Sequence, residues 1–109
     1  MRVYISGPVT GVPELNLPAF ERAAGLASSL GKTPLVPHWF VPAGASWEDA
    51  MRRCVETLAK ADELWALPGW RESRGARIEV ALARELGIEC MEVGAARPAD
   101  GREGRVGDE

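Results

Sequence analysis

Short apolar runs alternate with helix-spaced apolar stripes along most of the chain. The runs have the length and the β-branched or aromatic content of strands, and they are predicted at residues 2–6, 33–37, 62–67 and 88–93. Between them, apolar residues recur every three or four positions, which predicts amphipathic helices over residues 18–30, from residue 47 to about 58, and over residues 73–86. The first helix should bury Phe20, Ala23, Ala24, Leu26, Ala27 and Leu30, and the second Trp47, Met51, Cys54, Val55 and Leu58.

Single helices between strands predict an α/β fold with a parallel sheet built from right-handed crossovers. The expected strand order is 2-1-3-4, in which the chain reverses direction between strands one and three. Ligands bind above the carboxyl ends of strands at such a point. The two loops concerned, residues 7–17 and 68–72, are also the richest in glycine and proline. Residues 1–93 are therefore predicted to form one domain, and residues 94–109, which offer little to bury, a disordered tail.

Composition narrows the possible partners. The net charge of -3 provides no broad basic face, which argues against nucleic acid while leaving a single nucleotide possible. No apolar run approaches the roughly 20 residues of a membrane span, and the N-terminus does not look like a signal peptide. Two cysteines without a Cys-x-x-Cys spacing are typical of reduced thiols in the cytoplasm. With one histidine, neither a zinc site nor another cofactor is expected.

Glu79 lies where the last helix should be apolar. At about 100° per residue, the apolar residues of that helix cover an arc roughly 200° wide, with Glu79 near its centre. The arc consists of Gly75, Ala76, Ile78, Val80, Leu82, Ala83 and Leu86. A buried carboxylate must be paired, be protonated or face a cavity. One interpretation is a structural glutamate satisfied by an arginine or by backbone N–H groups. The other is a catalytic carboxylate, because this helix begins at the predicted ligand cleft.

The start of the same helix is suited to binding an anion or a sugar hydroxyl. Ser73, Arg74 and Gly75 precede free backbone N–H groups at the positive end of the helix dipole. The alternative is an ordinary serine cap followed by a glycine that allows close packing. Arg74 is the arginine best placed for a phosphate. Trp70, in the cleft loop, is the better candidate to stack on a base; His38, Trp39 and Phe40 are more typical of core or interface aromatics.

At this point the residues resemble the nucleoside 2-deoxyribosyltransferase-like superfamily, in particular its short branch of phage- or prophage-encoded proteins. The resemblance covers residues 1–92 and is specific in its combination of two motifs. The first, near the start of the chain, is Tyr4-Ile5-Ser6-Gly7-Pro8. The second, which follows Leu67-Pro68-Gly69-Trp70, is Ser73-Arg74-Gly75-Ala76-Arg77-Ile78-Glu79.

The resemblance implies a flavodoxin-like three-layer sandwich and cleavage of the base–sugar bond of a nucleoside or nucleotide. It implies that Glu79 attacks C1′ and that Ser73 contacts the 5′ end of the substrate. Tyr4, Ser6, Gly7 and Pro8 would help to line the pocket. Relatives form dimers or larger assemblies, so a homo-oligomer is expected.

One position departs from the family. Members commonly carry an aspartate eight residues before the aspartate that opens the third strand, and counting back from Asp62 gives Cys54. A thiol is a much weaker acceptor than a carboxylate. Cys54 is therefore interpreted as core packing, and the rival function is a catalytically weak protein that binds a nucleotide-like ligand in the same pocket.

Overall fold

A computed structural model describes residues 1–94, so almost all of the predicted tail lies outside the described residues. The strands are β1 (Arg2–Ser6), β2 (Thr33–Leu35), β3 (Glu63–Ala66) and β4 (Glu89–Glu92). The helices are α1 (Leu17–Ser29), α2 (Trp47–Leu58) and α3 (Arg74–Glu85). Short 3₁₀ turns span Pro13–Asn16, Pro37–Trp39 and Trp70–Glu72.

The four strands form one parallel sheet of order β2-β1-β3-β4, which confirms the predicted topology. In the register of the sheet Ser6 lies beside Ala66, and Ala66 lies beside Glu92. These residues end their strands at the same edge, so the loops that follow β1 and β3 meet there, beside Val93 and Gly94 after β4. This edge is where the sequence placed the cleft.

The sheet separates two apolar layers. On one face, Val3, Ile5 and Trp65 pack with Phe20 and Ala27 of α1. The opposite face, which carries Tyr4, Leu64 and Ala66, is covered by α2 and α3. Strand residues alternate between the faces because successive side chains of a strand point in opposite directions. The result is a three-layer α/β sandwich.

The buried apolar faces of the helices are narrower than the sequence predicted. Leu26 and Leu30 were expected in the core, but both are exposed, as are Ile78 and Leu86 on and just after α3. In α1 the buried positions are Phe20 and three alanines, and Leu26 and Leu30 lie roughly 70–110° away from the centre of that stripe. A four-stranded sheet is too narrow to cover a wider arc.

Within residues 1–94, no helix is both long enough and apolar enough to cross a membrane.

Candidate active site

Glu79 is the buried carboxylate at the centre of the site. Glu79 is 5% exposed, and each of its two carboxylate oxygens accepts a hydrogen bond from a side-chain hydroxyl of β1. The Tyr4 hydroxyl donates to Oε2 at 2.9 Å, and the Ser6 hydroxyl donates to Oε1 at 2.6 Å. An arginine or backbone N–H groups were the partners considered from the sequence; the structure provides two side-chain hydroxyls instead.

Strand and helix geometry bring these three groups together. Tyr4 and Ser6 are two residues apart in β1, so both side chains point to the face covered by α3. Glu79 belongs to the buried stripe of α3, with Ala76, Val80 and Ala83. The two alanines leave room for α3 to approach the sheet closely. Both hydroxyls therefore reach the carboxylate directly.

Burial changes the acidity of the site. Removal from water raises the pKa of Glu79 from its ordinary value of 4.5 to about 6, although the hydrogen bonds from Ser6 and Tyr4 act in the opposite direction. Burial, with the Glu79 charge as the next cause, raises the pKa of Tyr4 well above 10. At neutral pH the glutamate is thus mostly ionised, and the tyrosine keeps the proton that it donates.

Stability should depend on pH through Glu79. Its pKa is higher in the folded chain, so the stability it contributes is present below about pH 4.5 and is lost as the pH rises through about 6. In urea unfolding, the advantage of Glu79→Gln over the wild type should grow by about 1 kcal/mol between about pH 5 and about pH 8. A constant difference between the two proteins would contradict the raised pKa of Glu79.

Cys54 completes the surroundings of the carboxylate. It lies on the buried face of α2, in the same apolar cluster as Tyr4, and interacts with both Tyr4 and Glu79. Burial, followed by the Glu79 charge, raises the pKa of the Cys54 thiol to about 11. The predicted core position is confirmed. The thiol is neutral and unreactive as a nucleophile at physiological pH.

The loops after β1 and β3 touch at the edge of the sheet. A Cβ on Gly7 would lie 2.8 Å from Cβ of Leu67, closer than real Cβ atoms approach one another. Gly69 has a φ of 86°, and a Cβ there would lie 3.3 Å from the Pro8 ring. Gly7 and Pro8 therefore set the spacing of the two cleft loops.

Gly7→Ala should lower stability by about 1–3 kcal/mol, because the Leu67 loop must move to accept the extra methyl group. The matched control is Gly25→Ala in α1, where a Cβ meets nothing within 4 Å. That change should instead raise stability by up to about 1 kcal/mol through helix propensity. Thermal unfolding of both variants tests this, and a Gly7→Ala variant as stable as the wild type would contradict the tight contact.

The start of α3 is confirmed as a serine-capped helix. The Ser73 hydroxyl accepts from the Ala76 N–H at 3.2 Å. The guanidinium of Arg74 lies 4.1 Å from the centre of the Trp47 ring. A Cβ on Gly75 would lie 3.1 Å from Sδ of Met51, so this glycine permits close packing of α3 on α2. Contact of these residues with a substrate stays a prediction.

Trp70 lines a cavity of about 210 Å³ at the carboxyl ends of β3 and β4. Its ring is largely buried, and its Nε1 donates to Oε2 of Glu92 at 3.0 Å. The Arg71 guanidinium lies 4.6 Å from the ring centre and also donates to Glu92, at 2.7 Å. Ala66, the register neighbour of Ser6, lines the same cavity. Ala66 is thus the link between this cavity and Ser6, whereas Glu79 itself is buried and does not line the cavity.

The aromatic residues of the loop after β2 lie in different surroundings, and Phe40 packs against the apolar cluster that contains Tyr4 and Cys54. His38 Nε2 is 2.7 Å from the Leu15 carbonyl oxygen, and the His38 ring meets Phe20 edge-on. Trp39 is exposed, and Phe40 packs at the edge of the core. In residues 1–94, no three His, Cys, Asp or Glu side chains are grouped closely enough to hold a metal ion.

Four contacts at and beside the site were missed by sequence reasoning. The hydroxyls of Tyr4 and Ser6 were placed in the pocket, but their direct bonds to Glu79 were not predicted. The two-residue alternation in β1, combined with the predicted strand order, was the available signal for them. The bonds from Trp70 and Arg71 to Glu92 had no such signal, because they join a loop to β4 across the chain.

The comparison with protein families agrees with this architecture. Residues 1–92 match the model of a family described as "Domain of unknown function (DUF4406)". The chain belongs to this family. Among curated proteins, none matches the chain significantly.

Three solved structures share the fold. One is the 2-deoxyribosyltransferase of the psychrotolerant bacterium Bacillus psychrosaccharolyticus, with a TM-score of 0.66 and 18% identity over 84% of this chain and 71% of that one. The Leishmania mexicana 2-deoxyribosyltransferase has a TM-score of 0.68 and 17% identity over 84% and 62% of the two chains. The Clostridium botulinum CMP N-glycosidase has a TM-score of 0.60 and 18% identity over 84% and 67%.

The predicted resemblance to the nucleoside 2-deoxyribosyltransferase-like superfamily is thus confirmed at the level of the fold. The chain spans about two thirds of the length of these structures.

Proposed function

We propose that this protein cleaves the base–sugar bond of a nucleoside or nucleotide, transferring the (deoxy)ribosyl group to water or to another base. The observation that carries the proposal is the buried Glu79 carboxylate, held by the Tyr4 and Ser6 hydroxyls at the carboxyl end of β1. A buried, oriented and ionisable carboxylate at this edge is what a retaining glycosyl transfer needs. The fold shared with two 2-deoxyribosyltransferases and a CMP N-glycosidase supports it.

The reaction has two displacement steps. First a carboxylate oxygen of Glu79 bonds to C1′ while the C1′–N bond breaks, and the electron pair of that bond leaves with the base. Then the oxygen of water, or a nitrogen of a second base, bonds to C1′. The bond from C1′ to Glu79 breaks, its electron pair returns to the carboxylate, and the proton of the attacking group goes to solvent.

The hydroxyls of β1 orient the nucleophile in this scheme. Each donates to one carboxylate oxygen and leaves a second lone pair on that oxygen for C1′. Ser73, Arg74 and Gly75 would hold the 5′ end of the substrate at the start of α3. The cavity beside Trp70, which is lined by Ala66 next to Ser6 in the sheet, offers room for part of the ligand. Because Glu79 is 5% exposed, substrate entry requires the groups that cover it to move.

A second function is favoured by one observation, the neutral Cys54 thiol beside Glu79. The resemblance to the deoxyribosyltransferase-like superfamily implies an aspartate at this position, and a thiol cannot replace the hydrogen bonds of a carboxylate. In this alternative the protein captures a nucleotide-like ligand in the same pocket and turns it over slowly or not at all.

Incubation with a panel of 2′-deoxynucleosides and their 5′-monophosphates, with detection of free base, separates the two functions. The enzyme releases base from at least one member, and a second free base added to the reaction reveals transfer. Binding without base release, measured by calorimetry on the same panel, would support the binding protein.

Other features belong to the same proposal. The domain is assigned to residues 1–93. The protein would belong to the short phage-type branch of the superfamily and would act in the cytoplasm. A homo-oligomer would fit the exposed apolar side chains of α1 and α3, such as Leu26 and Ile78. Size-exclusion chromatography with light scattering tests the assembly.

A further inference from the structure

The donors around Glu79 direct their protons at the nucleophile and not toward a departing base. Tyr4 and Ser6 both donate to the carboxylate, at 2.9 and 2.6 Å. Cys54, the third polar side chain of the cluster, interacts with the same carboxylate and with Tyr4. Each of these hydroxyl or thiol groups has one proton, and in Tyr4 and Ser6 that proton is already used in the bond to Glu79.

These groups also hold their protons firmly. Burial raises the pKa of Tyr4 well above 10 and that of Cys54 to about 11. A general acid works best when its pKa lies near the working pH. Retaining glycosidases commonly pair the nucleophile with a second carboxyl group that protonates the leaving group. Among residues 1–94, the polar side chains that interact with Glu79 are these two hydroxyls and this thiol, and none of them is a carboxyl group.

We propose that this site acts on nucleosides whose base departs as a stabilised anion, namely uracil-type pyrimidines and oxopurines, in preference to aminopyrimidines and aminopurines. This inference rests on the proposed function. When the C1′–N bond breaks, the electron pair stays on the ring nitrogen, and the carbonyl groups of the base delocalise the charge. The anion then takes a proton from water.

The test is the dependence of base release on the acidity of the leaving base. The substrates are 2′-deoxyuridine and its 5-fluoro, 5-bromo and 5-methyl derivatives, each as the nucleoside and as the 5′-monophosphate. Bromine and methyl have similar volumes but opposite electronic effects, so this pair controls for fit. Because Tyr4, Ser6 and Cys54 provide no proton for the departing base, 5-bromouracil should be released at least about tenfold faster than thymine. Hypoxanthine should likewise be released faster from 2′-deoxyinosine than adenine is from 2′-deoxyadenosine. Uracil should be released faster from 2′-deoxyuridine than cytosine is from 2′-deoxycytidine.

Tyr4→Phe separates an orienting from a proton-donating role for that hydroxyl. We expect a lower rate with all substrates and an unchanged ratio between the bromo and methyl compounds. A ratio near one in the wild type, or faster release of adenine and cytosine than of hypoxanthine and uracil, would overturn the inference while leaving the glycosidase function standing. No base release from any substrate would overturn the proposed function and this inference with it.

Discussion

Replacing Glu79 with glutamine is expected to lower base release by several orders of magnitude while ligand affinity changes little. Glutamine keeps the shape and one acceptor, but it removes the negative charge that attacks C1′. Loss of a nucleophile removes transition-state stabilisation more than ground-state binding. The measurement is single-turnover base release, combined with calorimetric binding of the same nucleotide.

The stability of the same variant distinguishes a catalytic from a structural glutamate. The Tyr4 and Ser6 hydroxyls can rotate to suit an amide, and a neutral amide is easier to bury than a carboxylate. Glu79→Gln should therefore be as stable as the wild type or more stable at neutral pH. A clearly destabilised variant that still releases base at the wild-type rate would show that Glu79 is structural.

Replacing Cys54 with aspartate is expected to have the largest effect on stability. The new carboxylate would be buried beside Glu79, and two like charges at close range oppose each other. An uncompensated buried charge costs about 3 kcal/mol or more. Urea unfolding of Cys54→Asp should show this loss, with a smaller loss at low pH, where the carboxyl groups are protonated.

Cys54→Asn is the matched control, because it has the same shape as the aspartate variant without the charge. It should lose less stability than Cys54→Asp at neutral pH. If the pocket is otherwise complete, Cys54→Asp should also release base faster than the wild type, since the resemblance to the deoxyribosyltransferase-like superfamily implies an aspartate at this position. Loss of stability without any gain in base release would favour the binding-protein alternative.

Much of the fold could be predicted because its signals are local. The β-α alternation led to the strand order, and the cap at Ser73 marked a helix start that the structure confirms. Glu79 stood out because a charge within an apolar stripe is costly wherever that stripe packs. These inferences require only spacing and residue type.

The parts that failed or were missed depend on distances between elements. The exposure of Leu30 and Ile78 follows from how far a four-stranded sheet extends beneath its helices, which periodicity alone does not reveal. The bonds from Tyr4 and Ser6 to Glu79 depend on how closely α3 approaches β1. For Gly75, close packing was one of the two interpretations of the sequence, but its partner Met51 became visible only once α2 and α3 were placed.

The most direct test of the central claim is to look for a glycosyl group on Glu79. The protein is mixed with 5-fluoro-2′-deoxyuridine or its 5′-monophosphate, quenched with acid during turnover, and analysed by intact mass and peptide mapping. We predict an adduct with the mass of the sugar, or of the sugar phosphate, on the peptide that contains Glu79, and none in Glu79→Gln. Steady release of 5-fluorouracil by a Glu79→Gln variant, with no adduct on that peptide in the wild type, would contradict the account.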